Sequence, residues 1–214
     1  MLSPAADRAR ALSLVPVPPE TEARLARFVD LLDRWRSVTN LISEASFAEV
    51  WTRHIADSAQ LLALAPEARR WLDLGSGAGF PGLVLAIQLA DQPGARVHCV
   101  ESDRRKCAFL REAARATGAP AAIHPFRVEA LDPDSLGPVD AVVARAFAPL
   151  PSILEFATVW IGRGAIGVFP RGRSADAQLE ALPPPPDLAI EAVASKIDPE
   201  AAILRVRAVP KARP

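Results

Sequence analysis

The stretch Arg70-Trp71-Leu72-Asp73-Leu74-Gly75-Ser76-Gly77-Ala78-Gly79-Phe80-Pro81-Gly82 decides the fold. It begins as a short apolar strand, turns on closely spaced glycines, and runs into Leu83-Val84-Leu85-Ala86-Ile87, which has a helical pattern. Gly75, Gly77 and Gly79 carry no Cβ, so the chain turns tightly and a ligand can approach the backbone. The free N–H groups at the start of the next helix point into the same space. A strand, a glycine turn and a helix in that order form a ligand site on an α/β sheet.

Two ligand classes use this layout. Gly77-Ala78-Gly79-Phe80-Pro81-Gly82 fits the G-x-G-x-x-G of dinucleotide folds. Asp73 with Gly75, Gly77 and Gly79 fits the acidic residue followed by G-x-G-x-G of enzymes that use S-adenosylmethionine (SAM). Asp73 favours the second. SAM has an amino-acid end whose ammonium a carboxylate helps to hold, whereas a pyrophosphate has no use for a carboxylate at a strand tip. A tight turn without a ligand is the bland alternative, and the strand–helix context weighs against it.

Half of the 214 residues are hydrophobic, enough for a sizeable core, and 25 Lys and Arg balance 25 Asp and Glu. No global basic signature points to DNA. The charges are uneven, however: Arg205 to Pro214 carries Arg205, Arg207, Lys211 and Arg213 and no acid. A local basic face serves where a net charge does not. Cys99 and Cys107 form no C-x-x-C, and with three histidines there is no zinc pattern, so no metal is expected. No apolar run approaches membrane length and the N-terminus lacks a signal peptide, so a cytoplasmic protein with no membrane partner is expected. A monomer is expected as well.

Residues 1 to about 19 read as frayed. From Glu20, Leu25, Phe28, Val29, Leu32, Trp35 and Val38 fall at helical spacing on one face. Ser46 with Glu49 reads as a capping box for a helix through Leu64. Residues 1–65 are therefore a helical extension, and 66–214 form the catalytic domain. The second part alternates. Strands are expected at Arg70–Leu74, Arg96–Glu101, Ala121–Phe126, Val139–Ala144 and Ala165–Phe169, with helices from Pro81, Asp103 and Leu150. A polar helix near Ser174 to Ala181 gives way to a stiff connector at Pro183–Pro186. Leu188–Ile197 and Ala201–Val209 are separated by only Asp198-Pro199-Glu200, which allows a hairpin and not a helical crossover. The fold class is thus a Rossmann-like α/β sheet, parallel with an antiparallel hairpin at its end. A dinucleotide fold has no need of that hairpin, whereas SAM-dependent methyltransferases end that way.

Glu101, at the tip of the second strand, suits both hydroxyls of a ribose. Phe126-Arg127-Val128-Glu129 follows the third strand, where backbone groups read an adenine edge. Ala144-Arg145-Ala146-Phe147 follows the fourth, facing the methyl donor. It lacks the Asp/Asn-Pro-Pro-aromatic run of enzymes that methylate exocyclic amines. It also lacks the cysteine that pyrimidine-carbon enzymes need. An arginine there suits a nucleophile with a free lone pair, such as guanine N7, or an anionic neighbour. His54 and Asp57 share a helix face, and Arg171-Gly172-Arg173 follows the fifth strand.

With these residues in place, the chain resembles the bacterial 16S rRNA guanine-N7 methyltransferases, the glucose-inhibited-division B proteins. The resemblance rests on Trp35 with Asn40-Leu41, Arg53-His54 with Asp57-Ser58, Asp73 to Gly82, Arg127-Val128-Glu129 and Arg145-Ala146. It implies SAM as cofactor, with Gly75, Phe80, Val128, Glu129 and Arg145 around it; Asp73, Gly77, Gly79 and Glu101 join on chemical grounds. It implies 16S rRNA or the small ribosomal subunit as partner. From their places at the carboxyl edge of the sheet, Arg145 and Arg127 are expected to be catalytic and Arg53, His54, Arg171 and Arg173 to lie on the RNA side. The chain departs from the family at Ala144, where serine is usual, and at Arg171, where lysine is usual. The acid on strand two, often aspartate in the family, is Glu101. An NAD-linked oxidoreductase and a catalytically silent RNA-binding module are the competing readings.

Overall fold

In a computed structural model of the chain, residues 3–172 and 186–210 are described. The expected polar helix and proline connector, with Arg173, Lys211 and Arg213, lie outside the described residues, save Pro186 in a turn. The central element is a seven-stranded sheet: β1 (Arg70–Leu74), β2 (Arg96–Val100), β3 (Ala121–His124), β4 (Ala141–Val143), β5 (Ile166–Arg171), β6 (Leu188–Ala194) and β7 (Ala202–Ala208). Its order is β3-β2-β1-β4-β5-β7-β6. The first five strands are parallel. β7 runs antiparallel between β5 and β6. The chain moves outward from β1 to β3, then returns to place β4 on the other side of β1. Ligands bind at such a reversal, beyond the carboxyl ends of the strands.

Successive strand residues face opposite sides, and the core divides accordingly. Trp71, Val97, Cys99 and Val143 pack with α2 (Pro19–Arg36), α5 (Gly82–Gln88) and α6 (Arg104–Thr117). Leu72, Leu74, Val142 and Leu204 pack with α7 (Leu150–Gly162). The N-terminal helix α2 shares the first core: Phe28 is fully buried, 5.4 Å from Phe80 and 6.0 Å from Phe109 between ring centroids. The expected α6 boundaries hold. Asp103 caps its start through Arg105 N and Lys106 N, and Gly118 ends it at φ 66°.

Three expectations fail. The segment expected to be frayed is helical from Pro4: α1 (Pro4–Leu14) is capped by Ser3, and its Asp7 is buried. Asp7 Oδ2 accepts Trp51 N–H at 2.9 Å and Thr52 N–H at 3.4 Å, so a single acid ties α1 to the start of a wide π-type turn at Trp51–Ala56. The Ser46–Glu49 capping box does not form either. Ser43 caps α3 (Glu44–Phe47) by accepting Ser46 N–H at 3.2 Å, which leaves the Ser46 hydroxyl for His54. The helix then continues through α4 (Asp57–Ala59) to a 3₁₀ turn at Gln60–Leu64. The hairpin turn is longer than Asp198–Glu200: the Ser195 hydroxyl gathers Ile197 N–H and Asp198 N–H and draws the strand ends into it.

Asp7→Ala leaves two buried backbone donors without their acceptor. It should cost about 1–3 kcal/mol and lower Tm by several degrees, measured by thermal unfolding with and without the substitution. An unchanged Tm would mean that α1 is not held by Asp7.

Candidate active site

The tips of β1, β2, β4 and β5, the segment 41–57 and the β6–β7 turn enclose a cleft of about 910 Å³. The glycine turn forms its floor. Gly75 (φ 74°) and Gly77 (φ 56°) adopt left-handed backbone that L side chains rarely reach, and a Cβ on Gly75 would meet Phe147 Cδ2 at 2.2 Å. Glu101 braces the turn: Oε2 accepts Gly77 N–H at 2.8 Å and Oε1 accepts Asp103 N–H at 2.7 Å. Each carboxylate oxygen keeps a further lone pair. Glu101 lies on the cleft wall, where those lone pairs suit a ribose diol.

Two sequence-chosen residues of the turn do not reach the cleft surface. Asp73 is fully buried, because it sits inside β1 on the side facing α5. Its Oδ2 accepts Gly82 N–H at 3.1 Å, and its Oδ1 has no partner. The expected contact with a ligand ammonium is therefore not available in this arrangement; the carboxyl instead closes the start of α5. Burial pushes its pKa up to about 6, against the hydrogen bonds from Ser76 and Gly82. Gly79 (φ 90°) faces inward, where a Cβ would lie 3.0 Å from Leu83 Cβ.

The other wall is built around Arg145. Its Nη1 donates to Arg53 O and to Asp57 Oδ2, each at 3.2 Å, and its Nη2 donates to His54 Nδ1 at 2.8 Å. Its guanidinium carbon stands 5.3 Å from the centroid of the Phe80 ring, on which His54 also stacks at 4.7 Å. Burial lowers the Arg145 pKa and raises that of Asp57, while each partner's charge opposes the shift. Burial, with the charges of Arg145 and Arg53, holds His54 down to about 3, so its ring is neutral. Asp57 Oδ1 accepts Gln60 Nε2–H, and Gln60 bonds in turn to Ser195 and Lys196. The N-terminal segment, the β4 tip and the hairpin turn thus share one polar network.

Phe80, Val128, Glu129, Arg127, Arg53 and Arg171 all line the cleft. Val128 is buried, while Arg127, Glu129 and Arg53 are exposed at the rim. Arg53 lies 3.8 Å from Glu49. Among the described residues, Arg171 Nε and Nη2 are buried without a partner, and burial lowers its pKa. Arg173 lies outside the described residues. Sequence reasoning passes over Phe147; its signal is an aromatic two residues past the strand-tip arginine, after Ala146 at φ 51°. It also gives no role to Gln60, whose contacts span 135 and 136 residues. Cys99 and Cys107 are core residues; the Cys107 thiol donates to Glu101 O at 3.0 Å.

A floor that Gly75 and Gly77 leave open to close approach and a wall carboxylate with spare acceptors fit SAM. With the antiparallel end of the sheet they define a Rossmann-type SAM-dependent methyltransferase. Solved structures share the fold. An SAH-bound methyltransferase from Podospora anserina is 13% identical, with a TM-score of 0.62 and 96% of each chain covered. Cofactor-bound Rv0187 from MTB is 18% identical, with a TM-score of 0.61 and coverage of 96% of this chain and 97% of that one. Sequence comparison goes further: the chain belongs to the GidB family, rRNA small subunit methyltransferase G, whose model matches residues 21–193. A ribosomal RNA small subunit methyltransferase G of Nitrobacter hamburgensis is 53% identical over 179 residues, covering 82% of this chain and 67% of that protein. One of Methylorubrum populi is 45% identical over 207 residues, covering 97% and 98%. Neither an oxidoreductase nor a silent binding module finds support in these relatives. Among the described residues no helix is long and apolar enough to cross a membrane.

The buried Asp73 makes stability depend on pH. Its folded pKa, about 6, lies above the usual carboxyl value of 3.8. Between those values the folded state holds a proton that the unfolded chain has released. This contribution is therefore full below about pH 4 and lost as pH rises to 6, by roughly 2–3 kcal/mol. Asp73→Asn lacks the titration, so its stability should rise relative to the wild type across that window and level off above it. Urea unfolding of both proteins from pH 4 to 7 measures this; parallel curves would show that Asp73 does not titrate there.

Proposed function

We propose that the protein transfers a methyl group from SAM to N7 of a guanine in 16S rRNA of the small ribosomal subunit. The observation that carries this reading is the β4 tip. An arginine, held on two sides by Asp57 and His54, stands where a base or nucleophile would otherwise be. Both cysteines are in the core, and the neutral His54 has its basic nitrogen turned to Arg145. Among the groups around Arg145, a nucleophile that must first lose a proton finds no free acceptor. Guanine N7 has a free lone pair and needs none.

SAM supplies a methyl group on a positive sulfur, which leaves as a neutral thioether. Gly75 and Gly77 would admit it, Glu101 would accept from its ribose, and Val128 and Glu129 would hold its adenine end. Phe80 lies beneath. Asp73 serves by holding the turn from behind. N7 becomes cationic as it takes the methyl group, so a full positive charge beside it would oppose transfer. Asp57 offsets Arg145 and leaves a hydrogen-bond donor with a reduced field. Arg145 and Arg127 then orient the base or its phosphate, and catalysis rests on alignment. Arg53, Arg171 and Arg173 meet RNA phosphates, with residues 1–65 supplying one wall. No DNA or membrane partner is involved, and the protein works in the cytoplasm as a monomer.

The test is to map N7-methylguanines in 16S rRNA from cells with and without the protein. One such position should disappear in its absence; an unchanged map would overturn the reading. With labelled SAM and 16S rRNA, Arg145→Ala should slow methyl transfer at least about 100-fold with Tm near that of the wild type. Full methylation by that variant would make Arg145 structural.

Replacing Arg171 and Arg173 together by Ala should weaken RNA binding and flatten its salt dependence, each lost phosphate contact removing about 0.7 from the slope on single-stranded RNA. Salt titrations of RNA affinity decide this. Equal slopes would move the RNA contact elsewhere.

A further inference from the structure

Arg145 has five N–H hydrogens, and three are committed. Nη1 uses both of its hydrogens, on Arg53 O and Asp57 Oδ2, and Nη2 uses one on His54 Nδ1. Among the described residues, Nε–H and the second Nη2–H have no acceptor. Asp57 and Arg53 hold a single nitrogen, Nη1, through its two in-plane hydrogens. The bond from Nη2 to His54 anchors a second nitrogen and removes the residual twist of the plane that two soft bonds at one end allow.

The state of His54 follows from its partners. A guanidinium only donates, so Nδ1 must present a lone pair. The neutral ring then carries its proton on Nε2, where it is donated to Ser46 Oγ at 2.5 Å. One ring face lies on Phe80, at 4.7 Å and an interplanar angle of 23°. With both nitrogens occupied and one face covered, His54 has no polar group left for RNA.

We propose that His54 is a positioning residue for methyl transfer: locked as its Nε2–H tautomer by Ser46 and Phe80, it sets the plane of the Arg145 guanidinium so that the open N–H groups meet the target base. The inference rests on the guanine reading above, and it replaces direct RNA contact as the role of His54. It gives the helical extension a part in the chemistry, because α3 carries Ser46 and the following turn carries His54.

Isosteric variants separate this from a structural role. His54→Asn keeps an acceptor oxygen at the place of Nδ1. His54→Gln places its amide at the position of Nε2 and leaves Nδ1 without a substitute. His54→Leu removes both. Transfer of labelled methyl from SAM into 16S rRNA gives kcat and the KM for RNA; calorimetry gives SAM affinity, and thermal unfolding reports the fold. The Leu and Gln variants should lose roughly 10- to 100-fold in kcat, with the KM for RNA and SAM affinity near wild type. His54→Asn should recover most of that loss. Ser46→Ala should lower kcat in the wild type but not in His54→Leu, where no ring remains to be locked. Unchanged kcat in His54→Leu, a loss confined to the KM for RNA, or an Asn variant as slow as the Gln variant would each overturn the proposal. If His54→Leu does not fold, the order of Asn above Gln still decides. Methyl found on an atom other than guanine N7 would overturn the substrate reading alone, because the ranking of variants is read from total methyl transferred.

Discussion

One hydrogen bond, from Gly82 N–H to Asp73 Oδ2 at 3.1 Å, holds the turn on which the cleft is built. The first amides of a helix have no partner inside it, and α5 starts in the core, where water cannot serve them. Asp73 reaches back from β1 to supply the acceptor. The fit is tight: a Cβ on Gly82 would lie 2.4 Å from the same oxygen. With the turn closed from behind by one carboxyl, a second braces it from the front, because Glu101 takes Gly77 N–H and Asp103 N–H together. The floor of the cleft is therefore positioned by two acids. The buried one carries its proton into the acidic range, while the one at the cleft wall has lone pairs to spare.

The same economy of contacts governs the opposite wall. Phe80, the last aromatic of the turn, packs on Phe28 of α2 and beneath His54 and Arg145. A change in the tilt of α2 would move Phe80, and with it both groups above it. Interiors transmit such strain because they are close-packed. The N-terminal helices are thus coupled to the methyl-facing edge through a ring stack and three hydrogen bonds to one guanidinium, although 91 residues separate His54 from Arg145 along the chain.

These separations set what could be read from the sequence. The parallel strands were legible because they are short, apolar and buried on both faces, and the glycine turn because its backbone demands show in residue type. Glu101 was legible as an acid at a strand tip. Asp73 was misread: an acid followed by glycines looks like a strand end, but the pleat turns it inward between Trp71 and Cys99. α1 was missed because only Asp7 and Ala11 of its residues are buried, so it shows no apolar stripe. Ser46 reads as a helix cap, but it lies inside α3, which Ser43 caps, and its hydroxyl turns to His54. Local pattern finds elements; contacts between distant polar side chains leave no periodic trace.

The polar groups of the cleft bear on the kind of catalysis it supports. Asp73 is sealed behind the floor, Glu101 is bonded to two amides, Asp57 is bonded to Arg145 and Gln60, and the lone pair of His54 faces Arg145. None of these four is placed as a free base. Proton transfer contributes typically 10²- to 10⁴-fold, about 3–5 kcal/mol, and this constellation forgoes it. Alignment of two bound reactants supplies more, of order 7–11 kcal/mol, but only if the orienting groups are rigid. That is the physical reason for so many bonds to a single arginine. A site that works by alignment alone must hold its donor's plane as firmly as other sites hold a base, and the ring stack, the tautomer lock and the half-buried Asp57 together do so.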